Sequence, residues 1–411
     1  MADLFWPGDE HAGDLFSEPA FLSAMVRVEA AWLATLVEHR LVPVDAADDL
    51  EGLVGPDDVA EVAAGAESGG NPVIGLLKLL RSRVEPRNAA AARWMHRGLT
   101  SQDVLDNALV LLARDASERV LAETRGQVEA LATLVREHRT TPVAARTLTQ
   151  QAVPITFGLK AATWLESVVA AGRGLRAVDA GAAVQVGGAA GSLAASSELA
   201  ALQDDPDPAG RSLALVEAFA ARLGLAPVAP WHTSRGRVTV IGDALVTCTD
   251  AWGRIATDVA TLARPELGEL HEATGGGSST MPHKQNPVLS VLLRRAAIAA
   301  PPLAATLHSA SALSVDERPD GSWHVEWATL RTLARRTVTA SVHARSLLSG
   351  LRVDAEAMAA NLTAAGDALL AEQRSIAGLL DRDPSPTYAG ATDLLVDRAL
   401  ATATAYLEET S

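Results

Sequence analysis

The stretch from Asp103 to Thr140 reads DVLDNALVLLARDASERVLAETRGQVEALATLVREHRT and contains no proline. Its apolar residues recur at steps of three and four positions, which is the spacing of an α-helix. One helix of this length would extend about 55 Å, at about 1.5 Å per residue. Thr141-Pro142 follows and predicts the end of the helix, because a proline disfavours helical backbone in the residue before it.

Helical spacing continues beyond this stretch, whereas alternating strand-like runs are scarce. It predicts an all-α bundle, with further helices at about 154–180, 208–223, 236–264, 287–312 and 323–350. Pro301-Pro302 predicts a kink or a break inside one of them, since each proline removes a backbone donor. Residues 181–200, GAAVQVGGAAGSLAASSELA, are rich in small residues and predict a loop or close-packed turn.

Length and charge exclude several classes of protein. The chain has 411 residues, 48% of them hydrophobic, which is enough for two or three packed units. A net charge of −15 argues against nucleic-acid or anionic-membrane partners, so an anionic substrate must meet local positive groups.

The single Cys248 permits no intramolecular disulfide, and the opening MADLFWPGDEHAGDLF lacks the basic segment and following apolar segment of a secretory signal. The long apolar segments carry charges every few residues, so we expect a cytoplasmic protein without membrane spans.

Three of the long segments, 105–140, 154–180 and 236–264, carry apolar residues on more than one helical face. This indicates burial beyond what one chain provides, and therefore self-association. The alternative is a large monomer with an unusually apolar surface.

Gly275 to Pro287 reads GGGSSTMPHKQNP and is the stretch most informative about chemistry. Its glycines leave backbone amides free to approach a ligand, while Lys284 and Asn286 add a cation and an amide. Such a loop could bind an anion and bring a serine over it. On glycine content alone, a flexible linker is the alternative.

This string resembles the signature G-S-S-x-M-P-x-K-x-N of the fumarase/aspartase superfamily at every fixed position. A second stretch, HRGLTSQD from His96 to Asp103, is similar to the superfamily's H-x-G-x-T-S-x-D. The resemblance implies that the hydroxyls of Thr100 and Ser101 bind a substrate carboxylate, with His96 alongside. The same residues could also cap the long helix, with Asp103 favourable in its first turn, and both interpretations can hold together.

A third stretch, RTLTQQAVP from Arg146 to Pro154, resembles R-T-H-x-Q-x-A-x-P and carries over Thr147 and Gln150 as substrate contacts. Here the match breaks, because Leu148 replaces the histidine that serves general-acid catalysis in most of these lyases. The superfamily's common step removes a proton α to a carboxylate and expels a group from the β carbon. A departing amine or hydroxide needs protonation, worth about 10²–10⁴-fold in rate, whereas a carboxylate of pKa about 4 can leave unprotonated.

Within the superfamily, muconate lactonisation run backwards has a carboxylate leaving group, so Leu148 points to a cycloisomerase. QQAVPITFGLKAATW and ERPDGSWHVEWATLR also resemble bacterial 3-carboxy-cis,cis-muconate cycloisomerases, and the resemblance extends from about Phe5 to Glu372. The chain departs from that family at Ser234 and Gly236, where Gln and Asp are usual, and we expect a reduced C-terminal domain. The expected activity is lactonisation of 3-carboxy-cis,cis-muconate to 4-carboxymuconolactone, in the protocatechuate branch of the β-ketoadipate pathway.

The resemblance implies catalytic roles for Ser278 and His96. Ser278 is the hypothesised base, and the Gly275–Gly277 amides and Lys284 would stabilise its oxyanion. The residues expected to hold substrate carboxylates are Thr100, Ser101, Thr147, Gln150, Ser279, Lys284, Asn286 and Arg318. His232 and His283 are possible auxiliaries, with purely structural roles as the alternative.

The resemblance also implies three helical domains, at about 1–104, 105–345 and 346–411, of which the middle one is a long-helix bundle. The bundle would build a homotetramer with active sites shared between subunits, acting on a small polycarboxylate. We expect no metal, since the histidines lack ligand spacing, and no cofactor. Two alternatives are a carbon–nitrogen lyase of the adenylosuccinate or argininosuccinate type and a non-catalytic helical scaffold. Leu148 argues against the carbon–nitrogen lyase.

Overall fold

The computed structural model describes residues 3–273, 276–277, 280–281 and 284–410. The described chain is predominantly helical, which confirms the all-α prediction. Its helices are α1 (Glu18–Glu38), α2 (Val59–Gly69), α3 (Val73–Val84), α4 (Ala89–Trp94), α5 (Ser101–Glu137), α6 (Phe157–Ala180), α7 (Ala194–Ala201), α8 (Pro208–Leu223), α9 (Gly236–Leu262), α10 (Val288–Ala312), α11 (Gly321–Ser349), α12 (Ala355–Ala365), α13 (Ala371–Leu379) and α14 (Thr392–Glu409). Two short antiparallel ribbons are made of β1 (Pro142–Thr147) with β2 (Gln150–Thr156), and β3 (Leu270–His271) with β4 (Arg352–Val353).

The chain divides into two compact units, each assembled from three separate segments. The first unit contains Met1–Glu118, Ala177–Asp243 and Pro302–Arg336, and the second contains Arg119–Arg176, Ala244–Pro301 and Thr337–Ser411. Long helices such as α5 and α9 contribute residues to both units. The three-domain division at about residues 104 and 345 stays a prediction.

In the first unit, α1 supplies much of the apolar core. Ser17 caps this helix by accepting a hydrogen bond from the Ala20 amide at 3.2 Å, which satisfies one of the free donors of its first turn. Trp32 is fully buried and meets Phe219 of α8 edge to face, with ring centroids 5.3 Å apart. This aromatic pair holds α1 against α8.

In the second unit, α6 is anchored at its start by aromatic packing. Phe157 and Trp164 are fully buried, with ring centroids 5.7 Å apart. The Trp164 indole donates to Asp258 Oδ2 of α9 at 2.8 Å, so the ring is satisfied at its polar edge as well. The start of α6 is therefore fixed beside α9.

The helices predicted from apolar spacing are confirmed, most with ends within two or three residues of the expected ones. The Pro301-Pro302 prediction is wrong in so far as it expected a break, because α10 runs through both prolines. A proline already has a helical φ, and both prolines are exposed, so water can satisfy the carbonyls that lose their donors. Residues 181–200 were predicted as a loop or close-packed turn, but the last part of this segment is helical, since α7 begins at Ala194.

The β1–β2 hairpin was not predicted. Thr147 and Gln150 are its last paired residues, and Leu148 and Thr149 form the two-residue turn. Both turn residues have positive φ, 47° and 70°, as in the type I′ turns that favour Asn-Gly. The turn therefore carries none of the sequence signals by which hairpins are recognised.

Among the described residues, two helices, α1 and α10, are long and apolar enough to cross a membrane by length and composition alone, with mean hydropathies of 1.5 and 1.4 in the relevant windows. In α1, 56% of that window is buried, as in the core helix of a soluble protein, whereas in α10 only 28% is. Val291 and Ile298 of α10 are 54% and 73% exposed. An apolar helix face of this kind is normally covered by another surface.

Gly158 tests the packing at the start of α6. A Cβ added there would lie 2.7 Å from Arg139 Cα and 2.8 Å from the His138 carbonyl oxygen, which are backbone atoms that cannot rotate away. We expect Gly158→Ala to lower the free energy of unfolding by about 1–3 kcal/mol, measured by urea denaturation.

Gly174 in the same helix is the matched control, because an added Cβ meets nothing within 4 Å. Gly174→Ala should be neutral or stabilising by up to about 1 kcal/mol, as alanine is the better helix former. Equal effects from the two substitutions would contradict the packing described for Gly158.

Candidate functional site

In the first unit, the start of α5 is organised around the buried carboxylate of Asp103. Its Oδ2 accepts from the backbone amides of Thr100 at 2.9 Å and Gly188 at 3.0 Å, and its Oδ1 accepts from the Gly187 amide at 3.0 Å. Asp103 is fully buried, so these donors replace the water that an ionised carboxylate requires. Asp103 therefore does more than favour the first helical turn, because it also ties the small-residue loop at 187–188 to the Thr100 segment.

His232 is a second partner of the same carboxylate. Its Nε2 lies 2.9 Å from Asp103 Oδ1, and its side chain is almost completely buried. The side-chain Nε2 of Gln185 donates to the same oxygen at 3.2 Å, and the side-chain oxygen of Gln185 accepts from the backbone amide of Trp231. The structure thus makes His232 part of an oriented aspartate–histidine pair, an arrangement found in proton-transfer sites as well as in structural networks.

Arg318 reaches the start of α5 from the segment that precedes α11. Its Nη2 donates to the Thr100 hydroxyl and, at 3.1 Å, to the Ala189 carbonyl. A guanidinium, a hydroxyl and a loop of small residues therefore meet at one place, which suits a carboxylate ligand. That Arg318, Thr100 and Ser101 bind substrate stays a prediction.

His96 stands four residues before Thr100 in a left-handed conformation, with φ 68°. Its Nδ1 lies 2.7 Å from Oε1 of Glu29, which is fully buried in α1. A positive φ is costly for a residue with a side chain and persists only where the surroundings impose it. Sequence reasoning missed Glu29, because 67 residues separate the two partners.

One turn along α5 from Asp103, a second buried ionic cluster surrounds Arg235. Its guanidinium donates to Asp106 Oδ2 at 2.7 Å and to Glu326 Oε2 at 2.5 Å, and all three side chains are buried. Burial raises the pKa of Glu326, opposed by the hydrogen bond from Arg235. Burial also disfavours the charge on Arg235, yet the two carboxylates raise the pKa of its guanidinium above the ordinary value.

This cluster was missed as well, although the sequence carries a signal for it. Gln102, Asp103, Asp106 and Asn107 are polar residues at three- and four-residue spacing within an apolar helix. Such a stripe either faces water or forms a buried network, and here all four residues are buried.

In the second unit, the hairpin places Thr147 and Gln150 side by side at its tip, where both are exposed. Arg146 anchors the hairpin through two hydrogen bonds to Glu269, at 2.9 and 2.6 Å. Leu148 is 95% exposed. A hairpin turn projects its central residues away from the core, which accounts for this exposure.

The glycine-rich signature loop is closed at its base. The Gly276 amide donates to the Asn286 carbonyl at 2.9 Å, and the Asn286 amide donates back to the Gly276 carbonyl at 3.0 Å. Lys284 is exposed and lines a cavity of about 390 Å³ together with Gly277 and Arg352. Ser278, Ser279 and His283 lie outside the described residues.

The predicted site residues thus fall into two sets. His96, Thr100, Ser101, His232 and Arg318 belong to the first unit, and the structure brings Thr100 and Arg318 into direct contact. The members in the second unit are Thr147, Gln150, Lys284 and Asn286. That these residues act in one active site stays a prediction. Among the described residues, no three His, Cys, Asp or Glu side chains are grouped to hold a metal.

A family model described as lyase matches residues 56–300, well over half of the chain. The chain belongs to this lyase family of the fumarase/aspartase superfamily. It is 44% identical over 363 residues to a nitrosuccinate lyase from Streptomyces davaonensis, covering 87% of this chain and 76% of that one. It is 38% identical over 359 residues to a 3-carboxy-cis,cis-muconate cycloisomerase from Bradyrhizobium diazoefficiens, covering 86% and 75%.

A solved structure agrees with this assignment. The 3-carboxy-cis,cis-muconate lactonizing enzyme from Pseudomonas putida superposes with a TM-score of 0.84 at 29% identity, covering 96% of this chain and 97% of that one. The lyase therefore has the fumarase/aspartase-like fold that its signature segments implied. It is an enzyme of the lyase or isomerase type, and the alternative of a non-catalytic scaffold is wrong.

Arg235 gives a test of the buried cluster. We expect Arg235→Met to lower the free energy of unfolding by about 3–5 kcal/mol, because it leaves two buried carboxylates without their cation. Arg237→Met, two residues on at an exposed position, should change it by less than about 0.5 kcal/mol. Chemical denaturation measures both, and a loss below about 1 kcal/mol for Arg235→Met would show that the carboxylates find other partners.

Gly276 gives a test of the loop base. A Cβ added there would lie 2.1 Å from Val288 Cγ2, whereas one added at the neighbouring Gly277 meets none of the described atoms within 4 Å. We expect Gly276→Ala to reduce turnover at least about 10-fold, since misplacing a reacting group by about 1 Å can cost 10²-fold. Gly277→Ala should reduce turnover less, and both variants are compared at a temperature at which circular dichroism shows them folded. The measurement is steady-state kinetics, and equal turnover in the two variants would contradict the role given to the loop base.

Proposed function

We propose that this lyase removes a proton α to a carboxylate of a small polycarboxylate, and that the group on the β carbon departs as a weakly basic anion. The observation that carries this proposal is Leu148, a hydrocarbon side chain where the superfamily's general-acid histidine stands. Protonating a strongly basic leaving group is worth about 10²–10⁴-fold in rate, and leucine cannot contribute it. A carboxylate of pKa about 4 needs no such help.

The first candidate reaction is that of a 3-carboxy-cis,cis-muconate cycloisomerase. One carboxylate oxygen of the diene forms a bond to the carbon β to another carboxylate, and the α carbon takes up one proton, giving the lactone. In the reverse direction the base removes that proton and the ring carboxylate leaves. The similarity to the Bradyrhizobium enzyme and to the Pseudomonas putida structure supports this candidate.

The second candidate is elimination from nitrosuccinate. Loss of the proton α to one carboxylate and cleavage of the β carbon–nitrogen bond would release nitrite and form fumarate. Nitrite is also a weakly basic anion, so Leu148 is equally compatible with this reaction. Two observations favour it: the 44% identity to the Streptomyces enzyme, and the replacement of the cycloisomerases' usual Gln and Asp by Ser234 and Gly236.

The proposed roles follow the signature segments. Ser278 is the base, and His96 is the second catalytic residue. Lys284, at the far end of the Ser278 loop, stabilises the Ser278 oxyanion. Arg318 and the Thr100 hydroxyl, which are in contact, hold a substrate carboxylate together with Ser101. Ser279, Asn286, Thr147 and Gln150 complete the substrate contacts, and no step requires a cofactor.

We further propose that the enzyme acts in the cytoplasm as a homotetramer with shared active sites. Its support is exposed surface that a second copy would cover: the apolar face of α10 around Ile298, and the hairpin tip at Leu148. Thr147 and Gln150 occupy the same tip, so a copy that covers Leu148 would also approach these two residues. Light scattering at micromolar concentration tests the assembly, and a monomer would contradict it.

The assay that tests the function compares four substrates. Loss of the diene absorbance reports lactonisation of 3-carboxy-cis,cis-muconate, and nitrite release reports elimination from nitrosuccinate. We expect turnover of one of these two, and at least about 10³-fold less with Ser278→Ala. Efficient release of fumarate from adenylosuccinate or argininosuccinate would refute the proposal, because a basic amine would then leave without the missing histidine.

Leu148→His tests the leaving-group argument directly. If the leaving group departs unprotonated, a proton donor at this position cannot accelerate the reaction. The rate of the variant should therefore not exceed the wild-type rate by more than about two-fold. Both proteins are assayed where circular dichroism shows the same helical content, so that a difference in rate reports the substituted side chain. A rate increase of about 10-fold or more would show that protonation limits the reaction.

A further inference from the structure

The buried carboxylate of Glu29 is the feature of the first unit that neither the sequence motifs nor the family similarity explains. It lies in the apolar face of α1, between the buried residues Val28 and Trp32. Its Oε1 faces His96 Nδ1 at 2.7 Å, while its Oε2 is buried and has no hydrogen-bond partner in the described chain. A buried carboxylate with one unsatisfied oxygen is costly for stability. Stability therefore does not account for a carboxylate at this position.

The backbone on both sides of His96 is fixed by side chains from other helices. The Met95 carbonyl accepts from Arg81 Nη2 of α3 at 3.2 Å, and the Arg97 carbonyl accepts from the Trp32 indole of α1 at 2.7 Å. These two bonds hold His96 in its left-handed conformation, with φ 68°. The surroundings thus impose both the strained backbone and the place of the ring.

We propose that Glu29 is a positioning residue, which fixes the orientation and tautomer of the His96 ring for the reaction. A carboxylate accepts, so Nδ1 carries the proton that is donated to Glu29, and Nε2 is the nitrogen left for the substrate. Glu29 contacts no substrate and acts only through His96. This inference rests on the proposed function in one respect, namely that His96 takes part in the reaction.

The first arm of the test does not depend on activity. Hydrogen–deuterium exchange at the Cε1 carbon of each histidine, followed by mass spectrometry, reports the surroundings of each ring. Glu29→Gln should change the exchange rate at His96 by at least about two-fold, because the ring loses its charged partner. Glu38→Gln is the matched control, an exposed glutamate on the same helix, and should leave His96 unchanged. Unchanged exchange at His96 in Glu29→Gln would overturn the proposal.

The second arm is a double-mutant cycle in turnover. We expect Glu29→Gln to lower kcat by about 10²-fold with KM within about three-fold, as for a group that matters mainly in the transition state. In the His96→Gln background the same change should cost less than about two-fold, because its effect passes through His96. Glu29→Asp, one methylene too short for the 2.7 Å contact, should behave like Glu29→Gln. Equal losses with and without His96, or a fall in the unfolding midpoint that accounts for the lost activity, would make Glu29 structural.

The two arms separate the failure of this inference from that of the proposed function. If wild type turns over neither 3-carboxy-cis,cis-muconate nor nitrosuccinate, the proposed function fails, and the exchange measurement still decides whether Glu29 governs the His96 ring. If wild type is active but the cycle shows no coupling, the inference fails while the proposed function stands.

Discussion

A carboxylate buried at the first turn of α5 has to find donors inside the protein, and the first unit is built around that requirement. Asp103 obtains them from the Thr100 amide, from the amides of Gly187 and Gly188, and from the His232 ring. These donors come from three separate segments of the chain, at Thr100, at Gly187 and Gly188, and at His232. An isolated buried charge costs several kcal/mol, so any of these segments that moved away would leave that cost uncompensated. The Thr100 segment is thereby held at a fixed place beside the loop of small residues.

The same helix carries a second buried carboxylate one turn later, and here the main donor is a buried cation, the Arg235 guanidinium. Asp106 lies three residues after Asp103 and so faces the same side of α5, where it accepts from Arg235 and from the Trp323 indole at 3.0 Å. A well-packed apolar cluster could give equal or greater stability, but apolar contacts are not directional. A guanidinium between two carboxylates has a fixed geometry. The cluster is therefore better explained by the precise placement of the starts of α9 and α11 than by a gain in stability.

How much of this was predictable depends on whether the signal is local. The long helices could be predicted because apolar spacing is a property of neighbouring residues, and most of their ends agree closely with the structure. The hairpin could not, since its turn is Leu148-Thr149 without glycine or asparagine. The contacts of Glu29 with His96 and of Asp106 with Arg235 join residues 67 and 129 positions apart, and no local pattern marks them. The motif residues Thr100 and Arg318 were predicted as one group, and their contact agrees with that grouping.

The hairpin shows why a local rule fails where tertiary contacts constrain the backbone. Two residues with positive φ and side chains are strained, and such strain persists only when the strands below the turn are held firmly. The double hydrogen bond from Arg146 to buried Glu269 supplies that hold, and Asn361 supports Glu269 through a further bond of 2.8 Å. A glycine-containing turn would relieve the strain and leave the tip freer to move. With Leu148 and Thr149 in the turn, Thr147 and Gln150 are instead held side by side on an anchored hairpin, which is the placement that their proposed contacts with substrate require.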